Sequence, residues 1–132
     1  NSPGIREQPR WYTDVTKAYR LMERGERVRK RLELQKRSPS FSIEVHAVRV
    51  GDVAFATNPF ELYLDYAVRI RELCEATQTF LIQKAGCNGT YLPSERSIAH
   101  KGYGSIPAST NADHGGGNKL VDWTVDTLNR MW

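Results

Sequence analysis

Two apolar runs joined by only two residues constrain this chain more than any other feature in it. Phe41, Ile43, Val45, Ala47 and Val50 recur with rough period two up to Gly51-Asp52, and Val53-Ala54-Phe55-Ala56-Thr57 follows at once. A two-residue connection that begins with glycine accepts positive φ at its first central position, so the spacing predicts a tight hairpin of type II′ character. The second run is apolar throughout, which predicts a strand buried on both faces. Asn58-Pro59 then opens a helical pattern to about Glu75, with proline at the first helical position, where a missing N–H costs little. Thr79-Phe80-Leu81-Ile82-Gln83 reads as a third strand. A strand reached from another through a helix lies parallel to it, by a right-handed crossover.

Helical patterns flank this unit. Thr13 or Asp14 is placed to cap a helix over residues 13–37, with Val15, Ala18, Met22, Val28 and Leu32 as an apolar stripe and Ser38-Pro39-Ser40 as its stop. The C-terminal pattern, about Asn118 to Arg130, puts Leu120, Val121, Val125, Leu128 and Met131 on one side. Between them, residues 85–117 form a long glycine-rich connection with a short helix near Ser94–His100. A span that long is functional or disordered in most compact domains. The resulting fold class is α/β: a layered domain with a small mixed sheet, hairpin plus parallel strand, covered by three helices. No internal repeat and no domain boundary stand out. Three strands fit most naturally inside a larger sheet.

With 132 residues the chain has room for one core, and its 39% hydrophobic and 26% charged content is ordinary for a globular domain. No apolar run is long enough to span a bilayer. The first residues have neither an apolar signal core nor a start methionine, which points to a processed or truncated product. The net charge of +4 is uneven: residues 1–37 hold 11 Lys/Arg against 5 Asp/Glu, leaving the remainder net acidic. A basic helix of this kind attracts anionic surfaces, although interleaved glutamates read first as a solvated face. Cys74 and Cys87 lack the spacing of a zinc site and leave either one bridge or two buried thiols open. Asn88-Gly89-Thr90 fits a glycosylation acceptor but is foremost a turn.

Three residues stand out as carriers of chemistry. Glu61 follows Asn58 by three positions, which is the spacing of a capping box; alternatively it lies at the carboxyl end of a strand, where α/β ligands collect, and binds a divalent metal. Tyr91, between a turn and Leu92-Pro93, reads as a loop tyrosine rather than part of a core strand. Tyr103, between Gly102 and Gly104, has backbone freedom that would let its phenol donate a hydrogen bond to an oxyanion. His46, His100 and His114 are metal donors by type, without the short spacing that common sites share. Gly115-Gly116-Gly117 before the last helix offers free N–H groups to an anion, or simply a flexible start to the helix. No nucleophile motif is present.

Over about residues 42–132 these segments resemble the neutral/alkaline non-lysosomal ceramidase family, specifically the C-terminal portion of its zinc-dependent catalytic domain. The resemblance is carried by Val48-Arg49-Val50-Gly51-Asp52-Val53-Ala54-Phe55 leading into Pro59-Phe60-Glu61, and by Tyr91-Leu92-Pro93-Ser94-Glu95 through Tyr103 to Ala108-Ser109-Thr110. It implies that Glu61 and Tyr91 ligate zinc and that Tyr103 contacts the oxyanion. The family's two zinc histidines and its catalytic serine lie upstream of the matched region, and its Gly-Glu pair is here Phe60-Glu61. Its acidic segment after the zinc tyrosine is here Ser94-Glu95-Arg96-Ser97-Ile98. The expectation is therefore a piece of an amidohydrolase acting on an N-acyl lipid, inactive alone and completed by the remainder of the catalytic domain. Export to the periplasm or outside the cell, and peripheral membrane contact, follow from the same resemblance.

A different class of function competes with this one: a non-catalytic α/β interaction module that uses its basic helix to bind a protein partner or an acidic surface. Charge reversal at Arg27, Arg29 and Arg31 separates the two. The module loses partner binding in a pull-down, whereas the hydrolase keeps its catalytic rate. A nucleic-acid partner is not expected, because no aromatic platform accompanies the basic stripe.

Overall fold

A computed structural model describes residues 12–40, 42–86 and 89–132. Two compact units divide the chain at Pro39/Ser40. The boundary falls in the Ser38-Pro39-Ser40 segment that the sequence marks as a helix stop, although composition alone suggests no domain division there. The first unit is the helix α1, Tyr12–Arg37. It starts one residue earlier than expected, so Thr13 and Asp14 lie in its first turn. Its residues Val15, Leu21, Met22, Leu32 and Leu34 are exposed. Glu23–Arg27, Glu26–Lys30 and Arg29–Glu33 form i,i+4 ion pairs at 3.2, 3.9 and 2.7 Å. Exposed pairs of this type contribute about 0.3–0.5 kcal/mol each. They match the solvated-face reading of the basic helix.

The second unit, Ser40–Trp132, contains the sheet. Strands β1 (Ala47–Val50), β2 (Val53–Thr57) and β4 (Gln78–Ile82) lie in the order β1-β2-β4, the first pair antiparallel and the second parallel. This is the expected α/β arrangement of hairpin plus parallel strand. Gly51 turns with φ +60 and Asp52 stays at negative φ, the type II′ pattern. β1 is shorter than its apolar periodicity: Phe41 lies outside the described residues, and Ile43 and Val45 pack on the core from non-strand backbone.

β2 departs from expectation in its burial. Ala54 and Ala56 are buried, while Val53, Phe55 and Thr57 on the other face are only half-buried. Helices α2 (Leu64–Leu73) and α4 (His114–Asn129) pack against the sheet at β4 and β1 respectively. The other face carries the register row Val48, Phe55 and Phe80, with the two phenyl rings stacked at 5.2 Å. An apolar strand sequence is compatible with one covered face because alanine and valine suit either environment.

The core joins Phe60, Leu62, Tyr66, Ile70, Leu92, Leu120 and Val121. α4 begins four residues before the expected start, so Gly115, Gly116 and Gly117 are inside the helix and not a loop before it. Asp113 caps it, accepting the Gly116 N–H at 3.0 Å. A β-carbon on Gly117 would sit 2.2 Å from the Tyr66 ring. The glycine therefore serves helix packing rather than anion binding. At the other end of α2, the Asn129 side chain accepts the Glu75 N–H and donates to the Leu73 carbonyl, both at 2.9 Å. That clamp closes α2 at Leu73, two residues short of the expected end.

Candidate functional site

Asn58 decides how Glu61 is presented. It is buried, and its carboxamide oxygen accepts the Phe60 N–H at 3.0 Å, an Asx turn that redirects the chain instead of starting a helix. Its backbone spans the ends of β2 and β4, donating to the Ile82 carbonyl and accepting from the Ala85 N–H. Helix α2 starts only after Tyr63, with no side-chain cap. The capping-box reading of Asn58 and Glu61 is thus corrected. Glu61 has no helix N-terminus to stabilise and is left for other work.

Freed from that turn, Glu61-Leu62 form the two-residue strand β3. Tyr91-Leu92 form β5, parallel to it, with Glu61 in register opposite Tyr91. The expectation of a loop tyrosine therefore needs correction as well. β5 is short but anchored, with Leu92 fully buried beside it. On its second side the Tyr91 N–H donates to the Ser109 carbonyl, and Tyr91 bridges to Thr110. Register partners on adjacent strands point to the same face of a sheet, so a carboxylate and a phenol meet here.

Their chemistry is coupled. The Glu61 carboxylate holds the Tyr91 phenol above its ordinary pKa, chiefly by accepting a hydrogen bond from it and then through its negative charge. Glu61 is about half-exposed and Tyr91 is partly buried. Tyr103 follows in a 3₁₀ turn, Tyr103–Ser105, and its ring meets that of Tyr91 edge-on at 5.8 Å and 87°. The turn is fixed by Ser105, which donates through Oγ to the Gly102 and Ser97 carbonyls, and by α3 (Glu95–Ala99) behind it. Gly104 lies directly on the Tyr91 ring: a β-carbon there would fall 2.6 Å from Cγ. Glu61, Tyr91 and Tyr103 are thus brought into one cluster.

Two members of the cluster escape sequence reasoning. Tyr63 packs edge-on against Tyr91 at 6.5 Å, and its hydroxyl accepts the Gly104 N–H at 3.1 Å. Lys84 places its ammonium 3.5 Å from Glu61 Oε1. Tyr63 had a local signal, lying two residues beyond Glu61, but nothing near Lys84 in sequence hints at a role.

The three histidines lie on separate segments. His46 is exposed and pairs with Glu44 at 3.0 Å, His100 ends α3, and His114 opens α4. Among the described residues no three His, Cys, Asp or Glu side chains gather as a metal-binding group. Glu61 and Tyr91 offer two adjacent oxygen donors, one of them anionic. Of the two, the carboxylate is a common zinc-ligand type, and the phenol could join it only after losing its proton. Cys74 is half-buried with its thiol pKa pushed up by burial, while Cys87 and Asn88 lie outside the described residues. No described helix is long and apolar enough to cross a membrane. Comparison with known protein families, with characterised proteins and with solved structures gives no match.

Proposed function

We propose that this chain carries the carboxylate–phenol half of a zinc amidohydrolase site of the ceramidase type, acting in the intact protein on the amide bond of an N-acyl lipid. The single observation in support is the register pairing of Glu61 with Tyr91, which sets the carboxylate beside the phenol and raises its pKa. The resemblance of the Tyr91-Leu92-Pro93 to Tyr103 segment to the ceramidase family adds to it, as does the edge contact between the two tyrosine rings.

A bound zinc ion would supply Lewis-acid polarisation of the scissile carbonyl. Glu61 would hold such an ion through its carboxylate. Tyr91 would give up its phenolic proton to become a ligand, which reverses the upward push that Glu61 exerts on it. Tyr103, exposed and beside Tyr91, would donate its hydroxyl proton in a hydrogen bond to the substrate oxygen as charge builds there. The remainder of the catalytic domain would supply the histidine ligands and the nucleophile.

Calorimetric titration of zinc into the 132-residue chain tests the donor pair. The expected result is weak binding that Glu61→Gln reduces by about tenfold, as loss of the carboxylate from a two-donor site implies. Tyrosinate ultraviolet absorbance should appear on zinc addition and vanish in Tyr91→Phe. The chain alone should show no amide turnover. Binding indifferent to both substitutions overturns the metal reading, and amide turnover by this chain overturns its role as half a site.

A further inference from the structure

Lys84 occupies an unusual backbone position for the service it performs. Its φ is +57, in the left-handed region that non-glycine residues seldom enter. From there its ammonium donates to the Gly89 carbonyl at 3.0 Å and lies 3.5 Å from Glu61 Oε1. Glu61 is thus approached by an ammonium and by the Tyr91 phenol, while its backbone N–H is committed to the Thr90 carbonyl at 3.0 Å. A positive charge already stands beside the carboxylate that would receive a metal.

We propose that Lys84 is the resident counter-cation of the Glu61–Tyr91 pair, and that a divalent metal binds there by displacing its ammonium. This inference rests on the metal-binding reading of that pair and adds to it the residue that sets metal affinity. Two cations cannot both lie within contact distance of one exposed carboxylate without mutual repulsion, and the repulsion doubles when one of them is divalent. Displacement is feasible because both partners are about half-exposed, at 51% and 44% of their side-chain surface, where an ion pair is weak and a lysine stem is free to swing. The Gly89 carbonyl remains a second acceptor on the loop leading to Tyr91, so the ammonium need not become unpaired when it leaves Glu61.

The test is zinc calorimetry on the full chain at fixed ionic strength, with Lys84→Met, Lys84→Arg and Glu61→Gln alongside the wild type. Lys84→Met, which keeps the stem and removes the charge, should bind zinc about three- to fivefold more tightly, the cost of breaking one half-exposed ion pair. Lys84→Arg should not bind more tightly than the wild type. Equal or weaker binding by Lys84→Met, with Glu61→Gln still impaired, overturns the displacement mechanism and leaves the metal site standing. Unchanged binding by Glu61→Gln removes the metal site itself. Should Lys84→Met not fold, the wild type supplies the answer: zinc should raise the acetylation rate of Lys84 relative to the other lysines, and an unchanged rate overturns the proposal.

Discussion

Gly117→Ala should destabilise the second unit by about 3 kcal/mol, the upper part of the range for overpacking a filled core. The added methyl would sit 2.2 Å from Cζ and Oη of Tyr66. That ring cannot step aside: Tyr66 is 2% exposed and its hydroxyl is tied to the Pro93 carbonyl at 2.6 Å. Helix propensity works the other way, since alanine is favoured over glycine by about 1 kcal/mol inside a helix. The clash outweighs it. Gly116→Ala is the internal control, because its methyl would meet Ala112 at an ordinary 3.4 Å. That variant should be neutral or up to about 1 kcal/mol more stable. Urea unfolding of the pair measures the difference. Equal midpoints for the two variants would mean that α2 and α4 do not pack through Tyr66 and Gly117.

The second large effect is alkaline. Burial pushes the Tyr66 phenol from 10.0 up to about 12. The folded chain therefore keeps this proton to higher pH than the unfolded chain does. Stability from that difference is fully present below pH 10 and is lost as the pH rises from about 10 toward 12. Tyr66→Phe has no proton to lose, so its unfolding free energy should fall less steeply through that window. At neutral pH the same variant should be less stable by about 1–2 kcal/mol, because the buried Pro93 carbonyl loses its donor. Unfolding free energies measured from pH 7 to 12 for both proteins decide the matter. Parallel curves would exclude Tyr66 as the source of alkaline sensitivity. Cys74, also raised by burial from 9.0, acts in the same direction but begins at lower pH and is common to both proteins.

Local patterns in the sequence carried the scaffold further than the site. The Gly51-Asp52 turn, the parallel return of residues 78–82 and the buried set Leu120, Val121 and Leu128 are each written in a short window. Turn geometry needs two residues, strand alternation needs five, and a helix face needs eight, so such features are readable without knowing the rest of the chain. The three-glycine run failed for the opposite reason. Its meaning depends on Tyr66, some fifty residues away, and no local rule names that partner.

Glu61 shows the same division more sharply. An asparagine followed three residues later by glutamate satisfies the capping pattern, and only the burial of Asn58 between two strand ends diverts it into an Asx turn. Tyr91 and Tyr103 were singled out only through the family resemblance. Their contact with Glu61 was not legible, because it is made by a pair of two-residue strands that neither segment would form alone. Lys84 gave no signal whatever. Its placement follows from a left-handed backbone turn and a carboxylate that arrives from another strand.

The amino-acid order by itself determined the α/β class, the hairpin, the parallel crossover and the residue types available for chemistry, since each follows from periodicity and turn propensity over neighbouring positions. Tertiary structure alone decided that Glu61, Tyr91, Tyr103, Tyr63 and Lys84 share one surface, and that Gly117 is a contact point. The physical reason is loop closure: bringing groups some thirty residues apart into register costs chain entropy that only the packed core around Leu62 and Leu92 can offset, and that core is a property of the whole unit.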